Sequence, residues 1–152
     1  MKIKSTEFND YFFLPKTSGY KFGNKVPTLY VQDIPDGTTN LALAVYDSDV
    51  TYYDRELTHW LVWNLPPDIG EFSDDNLPAG AVQGTNDIGT IGYYGPTLDR
   101  EIHHIHFLVF ALNADLHLDP SAKRREFDTA VNGRFIDHAD LIGMYQPQRV
   151  TA

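Results

Sequence analysis

Residues 41–65 read LALAVYDSDVTYYDRELTHWLVWNL, and the alternation within this stretch decides what the chain builds. Leu41, Leu43 and Val45 fall on one face of an extended segment, and Ala42, Ala44 and Tyr46 on the other. Both faces are apolar, which predicts a central strand covered from two sides. Asp47 continues the Leu41 face at the strand's C-terminal end. Residues 48–58 are polar and read as a loop. Residues 59–65 are apolar again, with His59, Leu61, Trp63 and Leu65 on a common face. Pro66 and Pro67 end that run, because proline cannot donate to a ladder. If the two runs are neighbouring strands, Asp47 and His59 meet at one rim of a sheet.

Working outward, a third strong strand is expected over residues 102–112, with His103, Ile105, Phe107, Val109 and Ala111 on one face. Asp47 ends its strand while His59 and His103 begin theirs, so antiparallel pairing brings all three to one end. Shorter strands are expected over 27–31, 81–84 and 141–145. Gly23-Asn24 and Ile34-Pro35-Asp36-Gly37 read as turns. Residues 1–24 form an irregular segment pinned by aromatic rings, with one or two short strands, and residues 68–101 carry the glycines and prolines of long loops. The first clear helix has Asp119 as N-cap, Pro120 at its first position and Gly133 as its stop. Phe127, Ala130 and Val131 make its buried stripe. Strands dominate, helix comes late and the connections are too long for a meander, which points to a two-sheet β-sandwich with a C-terminal helix.

Composition narrows the function. The 152 residues suit one domain, 1–152, with a core of its own. Twelve Lys and Arg against 21 Asp and Glu give a net charge of −9, which opposes general nucleic-acid binding. It leaves room for one anion held locally by backbone N–H groups. Without cysteine there is no disulfide, thiolate metal site or cysteine nucleophile. The N-terminus lacks the apolar core of a signal peptide, and no run of ~18 apolar residues could span a membrane. A cytoplasmic protein with no stable membrane insertion is expected.

The rim residues have several readings. A carboxylate beside an imidazole orients it and raises its pKa, so at the Asp47, Asp49 and His59 rim Asp47 would orient His59 and keep it cationic. With N–H groups from the glycine-rich loop, such a ring accepts a phosphate-sized anion. The plainer reading is an Asp–His bond that staples the 48–58 loop. His103 is either a partly buried histidine bonded to backbone or a third wall of the same pocket. His104 and His106 share a face and would need a further ligand to hold zinc, so no metal and no cofactor is assigned. A Ser-His-Asp hydrolase requires a positioned serine. Ser48 lies between the two acids, but no G-x-S-x-G elbow is present. A carboxylate hydrolase would need Asp47 and Asp49 on one face. Tyr52, Tyr53, Tyr93 and Tyr94 flank the mouth, where they line the pocket, seal a dimer, meet a protein partner or pack the loops together.

An ordered series of short motifs adds to this. Phe8-Asn9-Asp10 with Leu14-Pro15, Asn24 to Leu29, and Ile34-Pro35-Asp36-Gly37-Thr38 come first. Leu41 to Val50 with its Asp47-Ser48-Asp49, His59-Trp60 with Asn64, and Gly84-Thr85-Asn86-Asp87 follow. Gly92-Tyr93-Tyr94-Gly95-Pro96, the strand from His103 to Leu112, and Leu141-Ile142-Gly143-Met144-Tyr145 close the series. Together they resemble the phosphatidylethanolamine-binding protein family, which includes the Raf kinase inhibitor protein, and look most like its small bacterial and archaeal members. The resemblance implies a β-sandwich with few helices and long pocket-forming loops. It implies a pocket for phosphate or a phosphoethanolamine-like headgroup, built here from Asp47, Asp49, His59, Gly95, Pro96 and His103. It also implies a binding module rather than an enzyme, with a homodimer or a regulated protein partner as further expectations.

This chain departs from the family pattern in places. The D-P-D-A-P motif is Asp47-Ser48-Asp49-Val50-Thr51, so both acids remain and both prolines are gone. H-R-Y is His103-His104-Ile105, without the arginine and the tyrosine. The proline-rich strip after Gly95-Pro96 is replaced by Thr97 to Glu101.

Overall fold

A computed structural model describes residues 1–97 and 101–146. The departure at residues 98–100 therefore lies outside the described residues. Strand β1 (Lys2–Ser5) pairs antiparallel with β3 (Leu29–Gln32) in a small sheet. The large sheet has six strands in the order β2 (Phe12–Phe13), β8 (Phe135–Tyr145), β7 (His103–Leu112), β4 (Asn40–Tyr52), β5 (Arg55–Leu65) and β6 (Val82–Gln83). Its pairings are antiparallel except for the short β2–β8 contact. The fold is mainly β, two sheets and one α-helix, as the pattern of elements predicts.

Strand β4 is the centre, buried on both faces as its double apolar pattern requires. Leu41, Leu43 and Val45 enter one core with Trp60, Val62, Phe107 and Val109, closed by Ile3, Val31 and Phe72. Ala42 and Ala44 face a second core with Leu61 and Trp63, roofed by Phe127 and Val131 of α1 (Arg124–Val131). Small residues on this second face let the helix approach the sheet closely. Burying such apolar surface contributes ~25 cal/mol per Å², which is why a short helix docks here at all.

Several boundaries differ from the expectation. The 48–58 loop is a hairpin: β4 runs to Tyr52, β5 starts at Arg55, and Tyr53 takes φ 59° between them. Val50, Thr51 and Tyr52 favour extended backbone, but they lie beyond the core and their polar neighbours hide the strand period. Strand β8 begins at Phe135 rather than 141, because it pairs along the whole of β7. Its outer half reads polar because it is exposed. Helix α1 starts at Arg124, with Lys123 as its N-cap and the Lys123 N–H donating to Glu126 Oε1 (2.9 Å). Asp119 caps a turn instead, its Oδ1 accepting the Ser121 N–H at 2.8 Å. That turn is tied to the 84–85 loop by Thr85 Oγ1 donating to Pro120 O and Thr85 N–H donating to Ala122 O, which pulls the chain off a helical path.

Strand β5 breaks its own alternation twice. The pairing slips between Leu41–Leu65 and Leu43–Val62, with Asn64 at φ 57°. Leu65 therefore joins the Leu41 core and not the face of Leu61 and Trp63, a correction to the predicted pattern. A second slip, between Val45–Trp60 and Tyr46–Thr58, leaves His59 with no opposite residue. Bulges of this kind re-aim a side chain and cluster at functional sites.

Candidate ligand site

The second bulge lies against the loop that follows β6. The Tyr94 N–H donates to His59 O (3.0 Å), and the His59 ring returns Nδ1 to Tyr94 O. A carbonyl only accepts, so Nδ1 carries the proton and Nε2 offers a lone pair. The ring is buried, and Nε2 has no hydrogen-bond partner. Burial pushes its pKa below the ordinary histidine value, outweighing the Tyr94 carbonyl and the carboxylates of Asp47 and Asp87. His59 is thus a neutral acceptor near neutral pH. This corrects the expectation of a cationic His59 charged by Asp47.

Asp47 serves a different histidine. Its Oδ2 meets His103 Nδ1 at 2.5 Å, and its Oδ1 accepts the Asp49 N–H at 2.8 Å. Asp47 and His103 are both buried, on neighbouring strands β4 and β7. Charge on either is felt at His59, so the three expected rim residues do come together, with the pairing changed. Asp49 contributes through its backbone. Its carboxylate turns to His104, accepting from the ring Nδ1 (2.7 Å) and the backbone N–H (2.6 Å). Burial works to raise the Asp49 pKa, but these His104 bonds hold it below the usual carboxylate range.

The Gly95-Pro96 turn is not a cradle of free donors. Gly95 N–H donates to Asn24 Oδ1 (2.7 Å), and Gly92 N–H donates to Gly84 O (3.1 Å). With Tyr94 N–H taken by His59, these loop N–H groups are used within the protein, which corrects the expectation that they hold an anion. Gly95 is needed for space: a Cβ there would lie 2.1 Å from Ser18 O. Pro96 O accepts the Tyr20 N–H at 2.9 Å, and the Tyr20 ring packs on Tyr94 with centroids 4.6 Å apart. Tyr93 is buried, its hydroxyl donating to Ser18 O at 2.7 Å, and so is not one of the exposed mouth tyrosines. Tyr52 and Tyr53 sit at the hairpin tip, lining a 330 Å³ cleft with Arg55, Lys123, Arg125 and Glu126.

Some determinants were not singled out from the sequence. Asp87 is buried and ties the bulge down: Oδ2 accepts the Thr58 N–H (2.7 Å) and Oδ1 the Arg55 guanidinium (2.7 Å). Asn86 Oδ1 accepts the N–H groups of Ile88 and Thr90, shaping the same loop. The only signal for either was their place in the Gly84-to-Asp87 motif. His104 and His106 each hold a separate carboxylate, and no group of three or more His, Asp or Glu side chains could hold a metal ion among the described residues.

A small sheet packs against a large one to form a β-sandwich, with a buried Asp–His pair and a second buried histidine at one end. The sequence profile of the phosphatidylethanolamine-binding protein family matches residues 4–146. UPF0098 proteins of Pyrococcus horikoshii and Methanothermobacter thermautotrophicus are each 34% identical, over 96% of this chain and 77% and 99% of theirs. Two crystal structures share the fold. CT736 of Chlamydia trachomatis, a phosphatidylethanolamine-binding protein homologue, has TM-score 0.87 and 29% identity, covering 95% of this chain and 96% of that one. YbcL of Escherichia coli has TM-score 0.86 and 28% identity, covering 95% and 97%. The chain belongs to the phosphatidylethanolamine-binding protein family. No helix among the described residues is long and apolar enough to cross a membrane.

Proposed function

We propose that the chain is a binding module for a small acidic ligand of the phosphate-monoester type, such as phosphate or a phosphoethanolamine-like headgroup. It acts by occupancy rather than turnover. The ligand meets the rim formed by Asp47, His59 and His103, with Gly95 and Pro96 as a wall and the Asp49 N–H fixing Asp47. The observation that carries the reading is His59 Nε2, a buried acceptor with no partner, beside the buried Asp47–His103 pair. A buried polar atom left unpaired costs about 1–3 kcal/mol, which a ligand O–H would recover. A phosphate monoester, with a second pKa near ~6, has its singly protonated form available at neutral pH. Its O–H donates to His59.

Titration calorimetry near pH 6.5 with phosphate and O-phosphoethanolamine tests this, with sulfate as an anion that brings no proton. His59→Asn is the informative variant, since its amide can keep the bond to Tyr94 O while losing Nε2. Wild type should bind both phosphates more tightly than sulfate. The variant should bind at least tenfold more weakly, about 1.4 kcal/mol. Equal affinities in the two proteins, or no binding by wild type, would remove the proposal.

A further inference from the structure

The open half of the large sheet, beyond the roof of α1, carries a second constellation away from the rim. Strands β4, β7 and β8 lie side by side there. His106 Nδ1 meets Asp140 Oδ2 at 2.8 Å, and His106 Nε2 meets Ser48 Oγ at 3.1 Å. A carboxylate only accepts, so Nδ1 carries the proton, Nε2 is the acceptor, and the Ser48 hydroxyl can donate to it. This is the acid–histidine–serine order of nucleophilic acyl transfer, on a scaffold with no strand-to-helix elbow. We infer that Ser48 is a nucleophile that accepts acyl groups from activated esters, with His106 as its general base and Asp140 as the positioning residue for the imidazole.

Three features hold the geometry. The β4–β5 pairing breaks between Asp47 and Thr51, so Ser48 sits where the ladder is interrupted. The His106 ring lies flat on Tyr46, centroids 4.7 Å apart and planes 8° apart, which fixes its orientation. Tyr46 is in turn backed by Arg124, whose guanidinium sits 4.8 Å from the ring centroid and bonds Asp128 at 2.8 Å. Ser48 is exposed, and its other acceptor, His104 O, is farther away at 3.4 Å.

In the step itself, Ser48 Oγ bonds to the carbonyl carbon while its proton passes to His106 Nε2. The bond from that carbon to the alkoxide breaks, and the alkoxide leaves as an alcohol with the proton from His106. Water then repeats the sequence against the acyl-serine, releasing the acid and restoring the hydroxyl. The nearby N–H groups are occupied and do not serve an oxyanion: that of Asp49 is taken by Asp47, and that of His104 by Asp49. Lacking one such donor typically costs ~10²–10³ in rate. Acylation is therefore expected as a stoichiometric event with slow turnover. The charges around Tyr46 are Asp140, Glu56 and Asp128 against Arg124, so the face favours neutral or cationic acyl donors.

The test uses the whole chain with p-nitrophenyl acetate and, separately, a fluorophosphonate, read by intact mass and peptide mapping. One adduct per chain should map to Ser48 and be absent in Ser48→Ala, an exposed substitution that leaves the fold intact. His106→Asn should slow labelling at Ser48 at least ~100-fold, the lower end of a general base's contribution. Asp140→Asn should slow it too, while circular dichroism stays native. p-Nitrophenyl acetate should outpace the anionic p-nitrophenyl succinate at low salt. No adduct at Ser48 in wild type, or equal labelling of Ser48 in heat-unfolded protein or in a folded His106→Asn, would overturn the inference.

Discussion

Gly95→Ala is the sharpest perturbation of the rim. Gly95 has no positive φ, so the constraint is space and not backbone conformation. The added Cβ would lie 2.1 Å from Ser18 O, a backbone atom, and 3.1 Å from both Tyr20 N and the Tyr93 hydroxyl. A tolerable carbon–oxygen contact is ~3.3 Å, so the loop and the 18–20 segment must part by roughly 1 Å. Three hydrogen bonds cross that junction: Tyr93 hydroxyl to Ser18 O (2.7 Å), Gly95 N–H to Asn24 Oδ1 (2.7 Å) and Tyr20 N–H to Pro96 O (2.9 Å). Parting by that much takes at least two of them beyond hydrogen-bond range. Two bonds at ~1 kcal/mol each and overpacking strain of ~1–3 kcal/mol give a loss of about 3–5 kcal/mol. At ~2–4 °C per kcal/mol for a chain of this size, the melting temperature should fall by about 6–20 °C. Urea unfolding of Gly95→Ala beside Gly70→Ala measures it, because a Cβ at Gly70 meets nothing within 4 Å. The control should stay within about 0.5 kcal/mol of wild type. A Gly95→Ala protein equally close to wild type would refute the account of the wall.

Other consequences follow from the same geometry. The His59 pKa is lowered in the fold, so the unfolded chain takes the proton first: stability is unaffected above the ordinary histidine value of ~6.5 and declines as pH falls from there toward the folded value, by at most ~1.4 kcal/mol per pH unit. Urea midpoints across that window should show a shallower decline in His59→Asn, and parallel profiles would contradict the neutral assignment. Asp87→Ala strips partners from the Thr58 N–H and the Arg55 guanidinium, and should cost about 3–5 kcal/mol in chemical denaturation. Asn64→Ala loses bonds with Asn40 and Leu116 and leaves φ 57° to a residue without asparagine's polar side chain, which tolerates that region, so it should cost about 2–4 kcal/mol. Asn64→Gly, relieved of the backbone strain, should cost about 1 kcal/mol less, and the reverse order would disprove a role for φ.

What could be read from sequence was what repeats with period two. The Leu41 and Ala42 faces, the third strand and the short strands before and after them were legible because burial alternates along them. The hairpin extension was not, since Asp49, Thr51 and Asp54 look like loop when their strand leaves the core. The face assignment of His59 and Leu65 failed for a specific reason. Each bulge adds one residue and inverts the parity of everything beyond it, and no local signal in Trp63-Asn64 or Thr58-His59 marks the insertion. The rim residues were legible as a set through their motifs. Their pairing was not, because Asp47 lies beside β7 as well as β5 and only the register chooses His103.

That failure also bears on how the chain builds sites at all. In an uninterrupted ladder a side chain points squarely to one face, and its backbone groups are committed to neighbours. Here the residues with chemical potential sit at the interruptions. His59 is the unopposed residue of one slip, Asn64 holds another in place, and Ser48 stands in the break between Asp47 and Thr51. Each interruption is held by groups of a distant segment: the Asp87 carboxylate for the first, the Leu116 backbone bonded by Asn64 for the second, and the side chains of His106 and Asp140 for the third. The family's prolines, absent at Ser48 and Thr51, would stiffen that last break through the backbone. In this chain a serine hydroxyl bonded to a neighbouring strand stands there instead. Replacing Ser48 with proline should therefore remove the nucleophile while leaving the Asp47–His103 pair and phosphate affinity unchanged, a separation that calorimetry and mass labelling on one variant can measure. Loss of both properties together would mean that the rim and the open face are one site and not two.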